Sequence, residues 1–164
     1  MFRLGDAVAE DRLSVMAGKV AIEESLVLAP RFDAAGLVTC VTVDAASGEV
    51  LMLAHMNAEA LRRSIETRQA WYWSRSRQAL WRKGATSGQT QTIMEMRVDC
   101  DQDAVLIKVE VGGDGGACHT GRRSCFYRKV ALGAGQDLGS GQDLCAGQDP
   151  GARQGDAPAM SMID

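Results

Sequence analysis

The sequence predicts an α+β fold, formed mainly by an antiparallel β-sheet with one or two short helices. Apolar, β-branched runs outnumber the segments with helical spacing, which favours strands as the dominant element. Short segments containing Gly, Ser, Asn or Asp separate several of these runs, so consecutive strands are expected to pair as hairpins. A chain of 164 residues is long enough to bury one core, since most domains contain about 100–150 residues.

The first predicted elements are two strands and a helix. The strands are GLVTCVTVD (residues 36–44) and GEVLMLAHM (residues 48–56), and the short connection AAS between them predicts an antiparallel hairpin. Asn57 follows, and its side chain can accept a hydrogen bond from a free N–H group at a helix start. Leu61 and Ile65 lie one turn apart on a single face, which predicts a short amphipathic helix after Asn57.

Three more strands are expected after this helix. They are AWYWS (residues 70–74), TIMEMRVD (residues 92–99) and AVLIKVEV (residues 104–111), which contain apolar, aromatic and β-branched residues. The segment WRKGATSGQTQ (residues 81–91) has the Gly, Ser and Thr content of a loop. The acidic segment RVDCDQD (residues 97–103) is therefore expected at a strand end or in the connection between two strands.

The two ends of the chain differ from its middle. A helix is predicted within residues 11–28, and the motif GQD recurs at positions 135, 141 and 147 in a segment with few apolar residues. Such a segment buries too little apolar surface to offset the entropy lost on ordering, so disorder is expected there. The predicted organisation is an N-terminal extension (1–27), one domain (28–132) and a low-complexity, disordered tail (133–164).

Composition limits the classes of partner and the cellular location. With 18 basic and 21 acidic residues, the net charge of −3 gives no general attraction to nucleic acid or to an anionic membrane, and neither partner is expected. No apolar run reaches the roughly 18 residues that a membrane span needs, so a cytoplasmic location is predicted. Five cysteines, an odd number, are expected to act as ligands, nucleophiles or small buried residues rather than as a disulfide framework.

The acidic segment contains three carboxylates at alternate positions. In an extended chain Asp99, Asp101 and Asp103 would share one face and Cys100 would point away from them. Alternate residues on one face lie roughly 6.5–7 Å apart, too far for one bare ion unless the chain curls or other oxygens complete the shell. Such a set suits Mg²⁺, which keeps several water ligands. The alternative is a solvated acidic turn without an ion.

Three cysteines form a second set of possible metal ligands. Cys100, Cys118 and Cys125 would leave the fourth tetrahedral position of zinc open to water, which is the catalytic pattern of zinc sites. The alternative is ordinary packing, because the spacing between Cys118 and Cys125 is not diagnostic. His119 could be a fourth ligand, a proton carrier beside the metal, or a residue with no role in the reaction.

The segment between residues 71 and 91 is rich in groups that bind anions. Guanidinium, ammonium, hydroxyl and backbone N–H groups are the donors that phosphate oxygens require. These candidates are Arg75, Arg77, Lys83, Thr86 and Ser87, and Arg122 and Arg123 would add positive charge near the cysteines. Two alternatives are a solvated basic edge and a single-stranded RNA platform on which Trp71, Tyr72, Trp73 and Trp81 stack bases.

Taken together, five segments resemble the phosphoribosyl-AMP cyclohydrolase family of histidine biosynthesis. They are PRFDAAGLVTCVTVD, GEVLMLAHMNAEAL, WSRSRQALWRKGATSGQTQ, RVDCDQDAVLIKVE and ACHTGRRSCFYR, and they span roughly residues 28–130. The resemblance implies Mg²⁺ at Asp99, Asp101 and Asp103 and Zn²⁺ at Cys100, Cys118 and Cys125. It also implies an intertwined homodimer whose zinc is shared between subunits, so that Cys100 meets the other two cysteines across the interface.

The resemblance further implies a reaction. Zinc-activated water would open the purine ring of phosphoribosyl-AMP between N1 and C6, giving the phosphoribosyl-formimino-aminoimidazole carboxamide ribotide intermediate. His119 is the expected catalytic residue that carries the proton, and the basic and hydroxyl residues named above are the expected phosphate contacts. A zinc deaminase is disfavoured because its H-x-E and P-C-x-x-C signature is absent. The other alternative is an RNA-binding module with a structural zinc site.

Overall fold

The computed structural model describes residues 22–130, 132 and 160–162. Most of the predicted N-terminal helix and all three GQD motifs lie outside these residues. The described residues belong to two units, which meet in sequence after Cys125 and are considered separately below. The predicted domain boundaries at residues 28 and 132 stay a prediction.

The first unit contains a four-stranded sheet and a separate two-stranded hairpin. The strands are β1 (Val38–Asp44), β2 (Val50–Met56), β3 (Trp71–Ser74), β4 (Ala79–Arg82), β5 (Gln91–Val98) and β6 (Ala104–Val111). The sheet has the order β2-β1-β6-β5. The predicted β1–β2 hairpin is confirmed, and β5 and β6 are also antiparallel neighbours. The mainly antiparallel α+β class is therefore confirmed.

One pairing in this sheet is parallel, whereas the sequence predicted antiparallel hairpins. Strands β1 and β6 are parallel, with Cys40 opposite Val105 and Thr42 opposite Ile107. Parallel neighbours cannot be joined by a tight turn, and the chain between them contains a helix and four other strands. A local pattern of apolar residues contains no information about a partner so distant in sequence.

The hairpin of β3 and β4 corrects the predicted loop at residues 81–91. Trp81 and Arg82 belong to β4, which was not predicted, and Trp81 pairs with Tyr72 across the hairpin. The rings of Tyr72 and Trp81 are 4.9 Å apart between centroids. This contact stabilises β4, which has only four residues. An alternation over four residues is too short to predict a strand from the sequence.

Helix α1 (Ala58–Thr67) follows β2, and its predicted start is confirmed. Asn57 Oδ1 accepts a hydrogen bond from the backbone N–H of Ala60 at 2.8 Å, which caps the helix. Leu61 is buried as expected, whereas Ile65 is 48 % exposed, so the expected apolar face does not include Ile65. Ser64 is buried instead, and its hydroxyl binds the backbone of Trp71.

The core lies on the face of the sheet that contacts the helix and the β3–β4 hairpin. Cys40 is fully buried, and burial raises the pKa of its thiol to about 12. Tyr72 is also fully buried, and its hydroxyl group bonds to Thr42 Oγ1 at 2.9 Å and donates to Gln91 Oε1 at 2.7 Å. These bonds give the buried hydroxyl group of Tyr72 its hydrogen-bond partners.

The second unit contains a two-stranded antiparallel sheet. Its strands are β7 (Arg128–Val130) and β8 (Met160–Met162). The three residues of β8 lie in the tail, residues 133–164, that was predicted to be disordered. The other residues of this tail lie outside the described part of the chain. The arginine side chain of Arg128 lies over the ring of Tyr127, with the guanidinium carbon 5.2 Å from the ring centroid.

Candidate metal and substrate site

The acidic loop, residues 99–103, connects β5 to β6 and is not extended. Gln102 has a φ of 59°, in the left-handed region, and its backbone N–H donates to the carbonyl oxygen of Asp99 at 3.3 Å. Asp99 Oδ1 also accepts a hydrogen bond from the backbone N–H of Ala104 at 3.0 Å. The connection predicted from the sequence is confirmed, and the chain curls within it.

This curl brings the three predicted magnesium ligands together. One carboxylate oxygen each of Asp99, Asp101 and Asp103 lies within 4.8 Å of the others. The charge of Asp101 is the main reason that the pKa of Asp103 is raised, with burial and Asp99 adding to the effect. Arg31 Nη1 is 3.1 Å from Asp101 Oδ2 and offsets part of this negative charge. Crowded oxygen ligands of this kind fit a hard divalent cation.

The cysteine loop, residues 117–125, holds two of the three predicted zinc ligands side by side. The side chains of Cys118 and Cys125 lie close enough for each thiol to affect the pKa of the other. Cys118 is buried, and its sulfur accepts a hydrogen bond from Thr120 Oγ1 at 3.1 Å. The backbone N–H of Cys125 donates to the carbonyl oxygen of Leu51 in β2 at 2.7 Å, which attaches the end of this loop to the sheet.

The two thiols differ in their protonation equilibria. Burial raises the pKa of Cys118, but hydrogen bonds from Thr120 outweigh it, so that the net pKa is lowered. The pKa of Cys125 is raised by burial and then by the neighbouring Cys118. The positive charge of Lys83 lowers the pKa of both thiols. Cys118 therefore forms the thiolate that zinc binds more readily than Cys125 does.

The third cysteine does not join this pair within one chain. Cys100 is exposed in the acidic loop, and among residues 22–130, 132 and 160–162 the three aspartates form the only cluster that satisfies metal-ligand distances. His119 is exposed next to Cys118, and its Nδ1 is 3.9 Å from the Cys118 sulfur. The chain thus presents a pair of thiols in one place and a single thiol in another.

A cavity of about 600 Å³ gathers four of the predicted phosphate contacts. We call it the Lys83 cavity, and it is lined by Trp71, Arg77, Leu80, Trp81, Arg82, Lys83, Gly84, Ala85, Thr86 and Ser87. The turn at Gly84 has a φ of 79°, and a Cβ atom there would lie 2.3 Å from the backbone nitrogen of Thr90, so only glycine fits. This turn places the hydroxyl residues of the segment beside the lysine.

Lys83 connects the cavity to the cysteine loop. Its side chain is buried, and Nζ donates a hydrogen bond to the carbonyl oxygen of Ala117, which precedes Cys118. In the part of the chain that the structure describes, no carboxylate lies within ion-pair distance of this ammonium group. A buried cation requires a nearby anion, and the cysteine thiolates and a bound phosphate are the two candidates.

The other predicted contacts lie outside the lining of the Lys83 cavity. Arg75 is exposed between β3 and β4. Arg123 donates from Nε to Glu49 Oε2 at 2.8 Å, and its Nη2 is 3.0 Å from Asp44 Oδ2. The carbonyl oxygen of Arg122 accepts a hydrogen bond from the backbone N–H of Cys118 at 2.9 Å. The last two arginines therefore help to shape the cysteine loop.

Sequence reasoning missed Gln102 and Arg31 near the acidic loop, and it named Trp71 only as part of an alternative RNA platform. The side chain of Gln102 is buried against residues 27–31, and Arg31 pairs with Asp101. Trp71 lines the Lys83 cavity, and its indole Nε1 is a buried donor without a hydrogen-bond partner in the described structure. No local pattern distinguishes these residues. The predicted aromatic platform for RNA is also not formed, because Tyr72 is fully buried.

Comparison with known proteins agrees with the resemblance noted above. The family model for phosphoribosyl-AMP cyclohydrolase matches residues 52–127. A phosphoribosyl-AMP cyclohydrolase of Nitrobacter hamburgensis is 69 % identical over 114 residues, which cover 70 % of this chain and 76 % of the relative. Another from Bradyrhizobium diazoefficiens is 72 % identical over 109 residues, covering 66 % of this chain and 76 % of that relative.

These similarities confirm the predicted function. The chain is an enzyme that opens the purine ring of phosphoribosyl-AMP by hydrolysis, as a step of histidine biosynthesis. The similar residues include the cysteine loop, the Lys83 cavity and the acidic loop, all of which lie within the matched range. From this evidence, the chain belongs to the phosphoribosyl-AMP cyclohydrolase family.

Proposed function

We propose that the hydrolysis uses Zn²⁺ held by Cys100, Cys118 and Cys125 and Mg²⁺ held by the three aspartates of the acidic loop. The observation that carries the zinc assignment is the proximity of the Cys118 and Cys125 thiols in the cysteine loop, with the charge of Lys83 beside them. Zinc with three thiolate ligands supplies an acidified water as the nucleophile. The donor sets fit the two metals, because thiolates suit zinc and crowded carboxylates suit magnesium.

The zinc site is completed, in this proposal, by a second copy of the chain. Cys100 is exposed in the acidic loop, apart from the paired thiols of its own chain, so it is available to the cysteine loop of a partner. A row of apolar residues, Leu53, Val41 and Leu106, crosses adjacent strands, and Leu53 is 49 % exposed. An exposed apolar row across a sheet supports a homodimer in which the partner covers it.

The Lys83 cavity binds phosphate oxygens of the substrate. Lys83 and Arg77 supply positive charge, and Thr86 and Ser87 supply hydroxyl donors within one wall of the cavity. The ring of Trp71 forms another part of the lining and offers an apolar surface. Arg75, Arg122 and Arg123 stay predicted contacts, although the ion pairs of Arg123 already engage much of its guanidinium group.

His119 carries the proton. Its imidazole lies next to Cys118 and is exposed, so it can accept the proton that the attacking water loses as oxygen bonds to C6. The same nitrogen then returns a proton to N1 as the C6–N1 bond breaks, which gives the carboxamide and the free formimino nitrogen.

We infer a cytoplasmic enzyme, in agreement with the finding that no helix in the described residues has the length and apolar content for crossing a membrane.

The proposed use of zinc is tested by a spectrophotometric assay of phosphoribosyl-AMP hydrolysis before and after removal of zinc by a chelator. Activity should disappear with zinc and return on its addition, and full turnover by zinc-free protein would exclude the zinc assignment.

A further inference from the structure

A second cavity, of about 290 Å³, lies beside the acidic loop. We call it the Arg31 cavity, and it is lined by Arg31, Phe32, Asp33, Leu37, Thr39 and Asp103. It shares Asp103 with the acidic loop, and no residue of the Lys83 cavity contributes to it. Phe32 and Leu37 give it a small apolar surface, Arg31 and Thr39 offer hydrogen-bond donors, and Asp33 and Asp103 are carboxylates. This mostly polar lining suits a polar ligand or a polar part of one.

Gln102 fixes the position of Arg31 relative to the acidic loop. Gln102 is only 4 % exposed. Its side-chain Oε1 accepts a hydrogen bond from the backbone N–H of Ala29 at 2.7 Å, and its Nε2 donates to the carbonyl oxygen of Val27 at 3.0 Å. Its own carbonyl oxygen accepts from the backbone N–H of Arg31 at 2.8 Å. The cavity wall and the loop of proposed metal ligands therefore form one hydrogen-bonded unit.

The charge of Arg31 suits an anionic ligand once the loop holds a cation. The one ion pair of this side chain within the described residues joins Nη1 to Asp101, and 47 % of the side chain is exposed. A guanidinium group has five N–H donors, so several stay available for other oxygens. A divalent cation together with Arg31 balances the three carboxylates of the acidic loop, which reduces the repulsion that a phosphate would otherwise meet. The remaining carboxylate of the lining is that of Asp33, whose Oδ1 accepts hydrogen bonds from the backbone N–H groups of Ala35 and Leu37.

We propose that the Arg31 cavity binds one of the two sugar–phosphate arms of phosphoribosyl-AMP, and that the partner's Lys83 cavity binds the other arm. This proposal rests on the zinc site proposed above. Cys100 lies in the same loop as Asp103, and Lys83 bonds to the residue before Cys118. A zinc ion that joins Cys100 to the partner's Cys118 therefore brings the two different cavities to the same purine ring, one on each arm.

The first test measures substrate binding by Arg31→Gln, with Arg62→Gln as the matched control. Arg62 is an exposed arginine of α1 that pairs with Glu59 and Glu66, away from both cavities. Loss of a charge-assisted contact should raise KM by about 10-fold to 100-fold with kcat changed far less. Arg31→Lys should recover part of this loss because it keeps the charge. A wild-type KM for Arg31→Gln would overturn the proposal.

A second readout does not depend on turnover. Ribose 5-phosphate is titrated into the Mg²⁺-loaded protein and followed by phosphorus NMR. The wild type and Arg62→Gln should share a Mg²⁺-dependent site that Arg31→Gln lacks. If Arg31 served only to neutralise Asp101, the substitution would instead change Mg²⁺ affinity and leave the binding of ribose 5-phosphate unchanged, which would also overturn the proposal.

The third test assigns the cavity to a subunit. Differently tagged chains carrying Arg31→Gln and Cys118→Ser are co-expressed, and the mixed dimer is purified through both tags. One of its sites then has both defects and the other has neither, so about half of the wild-type activity per dimer is expected, with the wild-type KM. Activity with only the raised KM of Arg31→Gln would place Arg31 in the site of its own cysteine loop and refute the division of arms.

A control separates this proposal from the zinc assignment. A mixed dimer of Cys100→Ser and Cys118→Ser contains one complete cysteine set only if zinc is shared between subunits. If this dimer is active while the mixed dimer of Arg31→Gln and Cys118→Ser has only a raised KM, the shared zinc site stands. In that case only the assignment of the Arg31 cavity is wrong. If neither mixed dimer is active, the shared zinc site itself fails.

Discussion

Lys83 and Ala117 are joined by a hydrogen bond from the lysine Nζ to the backbone carbonyl oxygen. The bond connects the wall of the Lys83 cavity to the residue before Cys118, although the two residues are 34 positions apart in the chain. Because the lysine is buried and its charge lowers the pKa of both Cys118 and Cys125, it connects the proposed zinc ligands to the proposed substrate cavity through one group.

Replacing Lys83 by Met should weaken zinc binding without much effect on folding. Zinc affinity should fall about 10-fold, because the pKa of both thiols rises when the positive charge is removed. The free energy of unfolding of the metal-free protein should change by less than about 1 kcal/mol. The variant loses the hydrogen bond from Lys83 to Ala117, but it also no longer has to bury an ammonium group. Competition with a chromogenic chelator measures the affinity, and urea denaturation measures the stability.

Lys129→Met is the control for this substitution. Lys129 is exposed in β7, so its replacement removes the same charge from the surface and should leave zinc affinity unchanged. Equal zinc affinity in Lys83→Met and the wild type would contradict the electrostatic role of Lys83.

Cys118→Ser and Cys125→Ser should each lose zinc and activity together. Each substitution removes one of the two thiols that the loop holds in contact, and serine is a poor zinc ligand. Zinc content by atomic absorption and turnover on the same sample provide the measurement. Cys40→Ala is the control, because Cys40 is buried in the sheet and is not a proposed ligand, so this variant should keep its zinc. A Cys118→Ser protein with stoichiometric zinc would disprove this ligand set.

His119→Ala should keep zinc and lose turnover. A positioned proton carrier contributes about 10²-fold to 10⁴-fold to a rate, so kcat should fall by a factor in this range. The imidazole nitrogen Nδ1 is 3.9 Å from the Cys118 sulfur, which is close enough for either role considered from the sequence. Loss of zinc from His119→Ala would show that the histidine is a ligand, and unchanged kcat would remove it from the mechanism.

Asp44→Asn should destabilise the protein at neutral pH but not in acid. Hydrogen bonds from Ser47 are the main reason that the pKa of Asp44 is lowered, and the charge of Arg123 adds to the effect. A lowered pKa contributes stability above the ordinary value of 3.8, and this contribution is lost as pH falls through the folded-state pKa. The expected loss at pH 7 is about 1–3 kcal/mol, from the charged hydrogen bonds.

Denaturation curves of the two proteins at a series of pH values test this linkage. The stability difference should shrink as the pH falls below 3.8 and the carboxyl group becomes protonated in both states. A difference that is constant with pH would mean that packing, rather than the charge of Asp44, is responsible.

Local patterns in the sequence determined the elements whose contacts are close along the chain. The β1–β2 hairpin and the cap of α1 by Asn57 depend on neighbouring residues, so spacing and turn residues predict them. The two motifs with acidic and cysteine residues were sufficient to indicate the family, because their types and order reflect metal chemistry directly.

Tertiary structure alone decided which of these residues meet. The parallel pairing of β1 with β6, the contact of Lys83 with Ala117, and the attachment of Gln102 to residues 27–31 all join segments far apart in sequence. Their energies depend on burial and on partners that local propensity does not contain. The curl of the acidic loop is of the same kind, since the antiparallel β5–β6 pairing brings its two ends together and thereby forces the three carboxylates into one cluster.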